Sequence, residues 1–292
     1  MSQKHRRRKH LKPDQRAKIW THKIKDAALS FIGQGLAQTL RGLPRRAVSN
    51  DDLQSWLSAP ASSAAFEALA RRLKAHSEDE RPKSVSEADG FALFALTKAI
   101  GATTALEIGT HLGYSTLYIA AALSSPPLSG PRLSGGVALA KLNTVDIVDV
   151  NDEVAAHYKT FGASISARQR LRALGLADRV EFVVGPSEPF LKRSPDTYDL
   201  IFVDGNHSEA GAYFDIVCSL PRLTERGIIV LHDFNNPDDP TPGIAAGEYG
   251  VHWALHRLRS YIPDCHAIQL RTITLPGATS PVPTSLAVIT RR

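Results

Sequence analysis

Five short, nearly continuous apolar runs recur along the chain at residues 105–108, 144–148, 180–184, 200–203 and 228–231. Runs this short, without polar alternation, are what strands look like when helices cover both faces of their sheet. Helical stretches separate them at 115–123, 152–174, 187–191 and 210–220. Alternation of strand and helix predicts an α/β fold with an open parallel sheet, because every parallel connection needs a crossover. A further helical segment at 249–261 precedes two strand-like runs, 267–275 and 285–290. Gly and Pro residues lie between those runs, which predicts a closing antiparallel hairpin.

The flanking segments read differently. Residues 51–76 place Leu53, Trp56, Leu57, Phe66, Leu69 and Leu73 at helical spacing. Residues 77–82 are polar and charged, a linker, and 124–136 are rich in Ser, Pro and Gly, a long surface loop. Residues 24–40 have the pattern of an amphipathic helix. The reading divides the chain into a basic arm at 1–46, a helical extension at 47–83 and an α/β domain at 84–292.

Charge follows that division. Residues 1–46 hold thirteen Lys and Arg against two Asp, whereas the rest holds 22 against 27 Asp and Glu. The run Lys4, Arg6, Arg7, Arg8 and Lys9 would attract polyanions. Aromatic residues for base stacking are nearly absent beside it, so a solvated tail is expected ahead of a nucleic-acid contact. Two distant cysteines, Cys218 and Cys265, exclude a disulfide framework and a paired-cysteine zinc site, and they fit a reducing, cytoplasmic compartment. No apolar run approaches the roughly 18 residues that span a bilayer.

In an open parallel sheet, ligands bind beyond the carboxyl ends of the strands. The first strand ends in Glu107-Ile108-Gly109-Thr110-His111-Leu112-Gly113-Tyr114-Ser115. Gly109 permits a tight turn, and Gly113 opens a helix whose N-terminus can hold an anion. The Gly-x-x-x-Gly spacing is not the dinucleotide fingerprint. The second strand carries Asp146 and Asp149, of which Asp146 is the first choice for accepting hydrogen bonds from ribose hydroxyls and Asp149 the second. The third ends in Gly185-Pro186-Ser187, where a flat base could lie on the backbone and Ser187 could bond its edge. The fourth and fifth end in Asp204-Gly205-Asn206-His207 and His232-Asp233-Phe234. Acids and histidines closing buried strands are costly unless paired or liganded, which points to one polar cleft.

Residues 84–233 resemble class I S-adenosylmethionine-dependent methyltransferases, with their Rossmann-like fold. They are most similar to the O-methyltransferase branch that includes catechol O-methyltransferase and the antibiotic-sugar O-methyltransferases. The motifs that carry the resemblance are Glu107-x-Gly109-x-x-x-Gly113-Tyr114-Ser115, Val183-Val184-Gly185-Pro186-Ser187, Asp199 to Gly205, and Arg222-Leu223 followed by Gly227 to Asp233. Upstream, Val85-Ser86-Glu87-Ala88-Asp89-Gly90 resembles the segment that covers the cofactor.

The resemblance implies S-adenosylmethionine as cofactor. Glu107 and Gly109 would lie beside its methionine part, His111 and Ser115 near its carboxylate, Asp146 on the ribose and Ser187 on the adenine, with Val85 over the site and Asp204 also in the cofactor-binding set. It also implies a divalent metal such as magnesium on Asp204 and Asp233, in members that use one. The chain departs from that pattern at Phe234, where some catechol-type members carry Asn; His232 or Asn235 would have to replace the ligand. His207 stands where those members have a lysine base, so Asp204 and His207 become the catalytic candidates. With His207 as base, the rate would rise through about pH 6–7, the unperturbed histidine range.

The expected activity is O-methylation of a small-molecule hydroxyl, with a homo-oligomer compatible with the sequence. Three rivals stand beside it. An RNA methyltransferase would use the basic arm as a clamp, but no Asn-Pro-Pro-Tyr-type motif follows the fourth strand. A nicotinamide oxidoreductase lacks its glycine pattern. An inactive cofactor-fold scaffold would not need polar residues at every strand end.

Overall fold

The computed structural model describes residues 47–76, 84–125, 141–240 and 249–291. The basic arm, the helix expected at 24–40, the linker at 77–82 and most of the loop at 124–136 lie outside the described residues. Two helices come first, α1 (Asn50–Leu57) and α2 (Pro60–His76). The segment read as helical over 51–76 is two helices with a break at Ser58 and Ala59, and Pro60 opens the second, where its missing N–H costs nothing. Helix α3 (Glu87–Ala99) follows, started by a capping box between Ser86 and Asp89.

The sheet then begins. Strands β1 (Thr104–Ile108), β2 (Lys141–Asp146), β3 (Val180–Val184), β4 (Tyr198–Val203) and β5 (Leu223–Leu231) run parallel. Helices α4 (Tyr114–Ser124), α5 (Ala167–Ala173), α6 (Ser187–Arg193) and α7 (Glu209–Ser219) connect them. After α8 (Gly250–Arg259) the chain returns as the antiparallel pair β6 (Cys265–Ile273) and β7 (Val282–Arg291). The order across the sheet is β3-β2-β1-β4-β5-β7-β6, with β7 antiparallel to β5. This is the expected parallel sheet with a closing hairpin.

Alternation along the strands explains the two covered faces. Leu200 and Phe202 of β4, with Ile228 and Val230 of β5, belong to one buried cluster; Ile201, Val203, Ile229 and Leu231 belong to the other. Helices α1 to α4 pack on the first face and α7 with α8 on the second. The N-terminal helices share the core of the sheet. Phe66 of α2 meets Phe91 of α3 edge-on at 4.9 Å and stacks on Tyr118 of α4 at 5.7 Å.

Two expectations are corrected. The helix expected over 152–174 is a short 3-10 turn, His157–Phe161, and the brief helix α5. Asp149 and Asp152 turn their carboxylates onto the nearby backbone N–H groups of Asn151, Val154 and Ala155. Such local bonds compete with a helix, and Ala156 and Gly162 at positive φ break it. The strand expected over 144–148 ends at Asp146, because the Asp146 carboxylate accepts the Val148 N–H and folds the chain away. Ile147 is left 73% exposed.

Register is what positions the site. Ile108 pairs with Val145 on one side and Val203 on the other, and Val203 pairs with Leu231. The residues that follow these partners, Gly109, Asp146, Asp204 and His232, therefore emerge in one row along the same sheet edge.

Candidate active site

A cavity of about 770 Å³ opens along that row. Val85, Gly109, His111, Ser115, Asp146, Ser187, Asp204, His207 and Asp233, all named from the sequence, line it. It sits where the strand order reverses between β1 and β4, the position at which open α/β sheets bind ligands. Its size suits a cofactor-sized molecule.

The floor depends on two glycines. Gly109 has φ +96°, and a Cβ there would come within 2.1 Å of the Asp204 carbonyl oxygen. The two strand ends therefore touch backbone to backbone, and Asp204 donates its N–H to the Ile108 carbonyl at 2.8 Å. Gly113 has φ +74°, and a Cβ would strike the Ala167 side chain at 2.5 Å. It opens α4, whose first N–H groups face the cavity beside Ser115.

Asp146 reaches across from β2. One carboxylate oxygen accepts the backbone N–H groups of Thr110 and His111 at 3.0 and 2.9 Å, so it shapes the loop after β1. The other accepts the Val148 N–H, and Asp146 lines the cavity. Asp149, the second choice, is exposed, bonds its own turn and lies outside the cavity lining. His111 holds φ +46° and packs edge-on against Phe161 at 4.5 Å; burial lowers its pKa, so the ring is neutral at neutral pH.

Glu107 is placed differently from the expectation. It is fully buried below the cavity floor and does not line it. One of its oxygens accepts the hydroxyls of Thr116 and Thr144, tying α4 and β2 to β1, while the other has no partner among the described residues. Burial pushes its pKa up to about 7 from 4.5. A carboxyl whose pKa rises on folding holds its proton more tightly in the folded state. The associated stability is present below pH 4.5 and is lost as pH climbs through 7. Removing this group with Glu107→Gln is expected to flatten the stability profile across that window, by about 3 kcal/mol between its ends. Denaturant unfolding at pH 5 and pH 8 measures it; an unchanged pH slope would refute the assignment.

The hydroxyl of Ser187 donates to Asp215 at 2.6 Å. Burial raises Asp215 to about pKa 6, against the effect of that bond. Asp215 lines the cavity and was missed from the sequence. Its signal was present: an acid on an α7 stretch otherwise made of the buried Ala212, Tyr213, Ile216 and Val217.

At the other end of the cavity, Asp204, His207, His232 and Asp233 converge. His207 bridges the two acids, Nε2 lying 3.3 Å from Asp204 and Nδ1 3.0 Å from Asp233. His232 Nδ1 lies 3.0 Å from Asp204 and 3.2 Å from Asp233, and its Nε2 lies 3.6 Å from Asp89. Burial alone would raise the pKa of Asp204, but His232 and His207 overcome it and hold it at about 2. Burial likewise opposes a charge on His232, yet Asp204, Asp233 and Asp89 keep its pKa well above the usual histidine value. The hydrogen bond to Asp204, with Asp233 adding to it, raises His207 too. His207 therefore keeps its proton further into the neutral range than the sequence reading expected.

The donors of Asp204, Asp233 and His232 lie within 4.8 Å of one another, a spacing that fits a metal ion. Phe234, standing in place of the expected Asn, is buried against apolar neighbours. Asn235 is also buried, makes no hydrogen bond with its side chain among the described residues, and does not line the cavity. Of the two candidate replacements, His232 is the one that reaches the acids.

The reversed strand order, the glycine turn after β1 and the row of acids make a Rossmann-like sheet with a cavity at its strand ends. Residues 106–234 match the family model described as a methyltransferase domain. A catechol O-methyltransferase of Mycobacterium tuberculosis is 33% identical over 170 residues, 57% of this chain and 64% of that protein. The match thus spans less than two thirds of that relative's length. Among solved structures, an O-methyltransferase from Bacillus cereus in complex with SAH is similar at 19% identity and a TM-score of 0.47, over 78% of this chain and 91% of that one. The cofactor-bound Rv0187 from MTB is similar at 22% identity and a TM-score of 0.48, over 80% and 93%. No helix among the described residues is long and apolar enough to cross a membrane.

Proposed function

We propose that this chain transfers the methyl group of S-adenosylmethionine to a hydroxyl of a small molecule. The observation that carries the reading is one continuous cavity that joins Asp146 and Ser187 at one end to Asp204, His207 and Asp233 at the other. Asp146 would take the ribose hydroxyls, the Ser187–Asp215 pair the adenine edge, and the turn from Gly109 to Ser115 the amino-acid part. Val85, just before α3, lines the cavity and would lie over the cofactor. S-adenosylmethionine supplies a methyl group activated on a sulfonium centre.

The residues must then align an acceptor and take its proton. A hydroxyl with a pKa near 10 is a weak nucleophile at neutral pH. His207 accepts the proton, with its ring fixed from both sides by Asp204 and Asp233. In the absence of a cation those acids raise its pKa, so the metal-free rate is expected to rise with pH above the ordinary histidine range. Asp204 and Asp233 would hold a divalent cation, which supplies charge stabilisation for the acceptor oxygen. The name of the mycobacterial relative supports a hydroxyl acceptor. Free cysteines support a reducing, cytoplasmic setting.

Two measurements test this reading. In calorimetry, S-adenosylhomocysteine should bind, and Asp146→Ala should weaken it by about 1.5–3 kcal/mol, the range for a charged hydrogen bond. Turnover on catechols, phenols and sugar hydroxyls should then appear for one class. No cofactor binding by the folded protein would end the proposal.

The basic arm should be dispensable for cofactor binding. The cut belongs just before Ala47, because Val48 is buried and exchanges hydrogen bonds with Thr290 of β7 at 2.8 and 3.1 Å. A chain beginning at Ala47 is expected to bind S-adenosylhomocysteine with unchanged affinity. Lost binding in a folded truncation would show that the arm completes the site.

A further inference from the structure

We propose that the cation site of this cavity takes a first-row transition ion such as Mn²⁺ or Co²⁺ in preference to Mg²⁺, with His232 Nδ1 as an inner ligand beside Asp204 and Asp233. The inference rests on the methyl-transfer reading only for the use of the ion, not for its binding.

Three observations support it. The first is spacing. Adjacent donors of an octahedral ion with bonds of about 2.1 Å lie about 3.0 Å apart. His232 Nδ1 stands 3.0 Å from one carboxylate oxygen and 3.2 Å from the other. The second is direction. Although that close, neither ring nitrogen makes a well-directed hydrogen bond to any described residue. Without an ion the acids hold a proton on the ring; a cation seated between them would take its place at Nδ1.

The third is support behind the ring. Metal-binding histidines commonly present their second nitrogen to a carboxylate, which fixes the ring and raises its basicity. Asp89 occupies that place, 3.6 Å from Nε2. It is itself held rigidly: it accepts the Ser86 N–H at 3.1 Å, the Ser86 hydroxyl at 2.6 Å and the Ser285 N–H of β7 at 3.1 Å. The buried acid of the α3 capping box thus doubles as a backstop for the ring.

Ion preference follows from the donor set. Mg²⁺ wants oxygen ligands and keeps several waters. Imidazole shifts affinity toward the later divalent ions, which rises from Mn²⁺ to Co²⁺ and beyond. With Phe234 contributing no donor, an oxygen-only set has two protein ligands here, and a set that includes His232 has three.

The test uses the full chain and the metals alone. Calorimetric titrations with Mg²⁺, Mn²⁺ and Co²⁺ should show Mn²⁺ and Co²⁺ binding at least tenfold more tightly than Mg²⁺. Pulsed EPR of the Mn²⁺ form should show modulation from a directly bound imidazole nitrogen. His232→Asn, which offers an oxygen donor, should lose that modulation and narrow the gap to Mg²⁺; His232→Ala checks the loss without a new donor. Equal or tighter Mg²⁺ binding, absent nitrogen modulation, or no metal binding at all would each overturn the proposal. Titrations with S-adenosylhomocysteine separate the two readings. Cofactor binding without metal binding sinks this inference alone, and metal binding without cofactor binding sinks only the methyl-transfer reading.

Discussion

Asp204→Asn is expected to lower kcat/KM by about a hundredfold to ten-thousandfold, the range for losing a positioned acid–base partner. Three consequences of one placement lead to that figure. Asp204 ends β4 at the centre of the sheet, where its backbone is fixed by the close approach of Gly109. Its carboxylate touches both histidines, so the Asn variant loses the charge that orients His207 and leaves His232 facing one acid fewer. Its pKa of about 2 keeps it charged throughout the working range, so the effect should not fade with pH. The amide is nearly the size of the carboxylate, and the ribose position proposed at Asp146 stands on β2, across β1 from β4. S-adenosylhomocysteine should therefore still bind, which separates lost chemistry from lost folding. Steady-state kinetics with a binding titration decide it. Full turnover in Asp204→Asn would remove Asp204 from the catalytic centre.

The strand ends were legible because buried parallel strands have a strong composition and a fixed ligand side. Gly109, Asp146, Asp204 and Asp233 could be picked out because each closes or follows an apolar run, although the run at 144–148 left Asp149 open beside Asp146. Glu107 was misplaced for a related reason. It belongs to the same motif as Gly109, but strand alternation turns its side chain away from the cavity and into Thr116 and Thr144. Asp215 and Asp89 were not assigned roles because each reaches the site from a helix, across a contact that no local spacing encodes. Asp89 could be read as a capping residue from Ser86 three positions earlier. Its approach to His232 depends on how α3 crosses the end of β5, which the sequence does not state. The helix expected over 152–174 failed because its Ala, Arg and Leu residues favour a helix on average, while Asp149 and Asp152 bond their own turns first.

Gly109→Ala should be the most destructive single change for folding. Two costs add at this residue. The backbone sits at φ +96°, which an L side chain rarely adopts, and strain of this kind costs about 1–3 kcal/mol. The added Cβ would also lie 2.1 Å from the Asp204 carbonyl oxygen and 2.6 Å from its carbon. Those atoms belong to a central strand whose N–H is bonded to Ile108, so they cannot swing aside as a side-chain tip would. Overpacking of this sort costs about 1–3 kcal/mol more. The sum of about 2–6 kcal/mol is a large fraction of the 5–15 kcal/mol that holds a typical domain together. Gly175→Ala isolates the first cost, because Gly175 has φ +68° but nothing within 4 Å of a new Cβ. It should lose only about 1–2 kcal/mol, the penalty of the left-handed region alone. Denaturant midpoints for the two variants give the comparison directly. If Gly109→Ala unfolds no more easily than Gly175→Ala, then β1 and β4 do not meet as closely as described. The placement of Asp204 over the cavity, which depends on that contact, would then have to be redrawn.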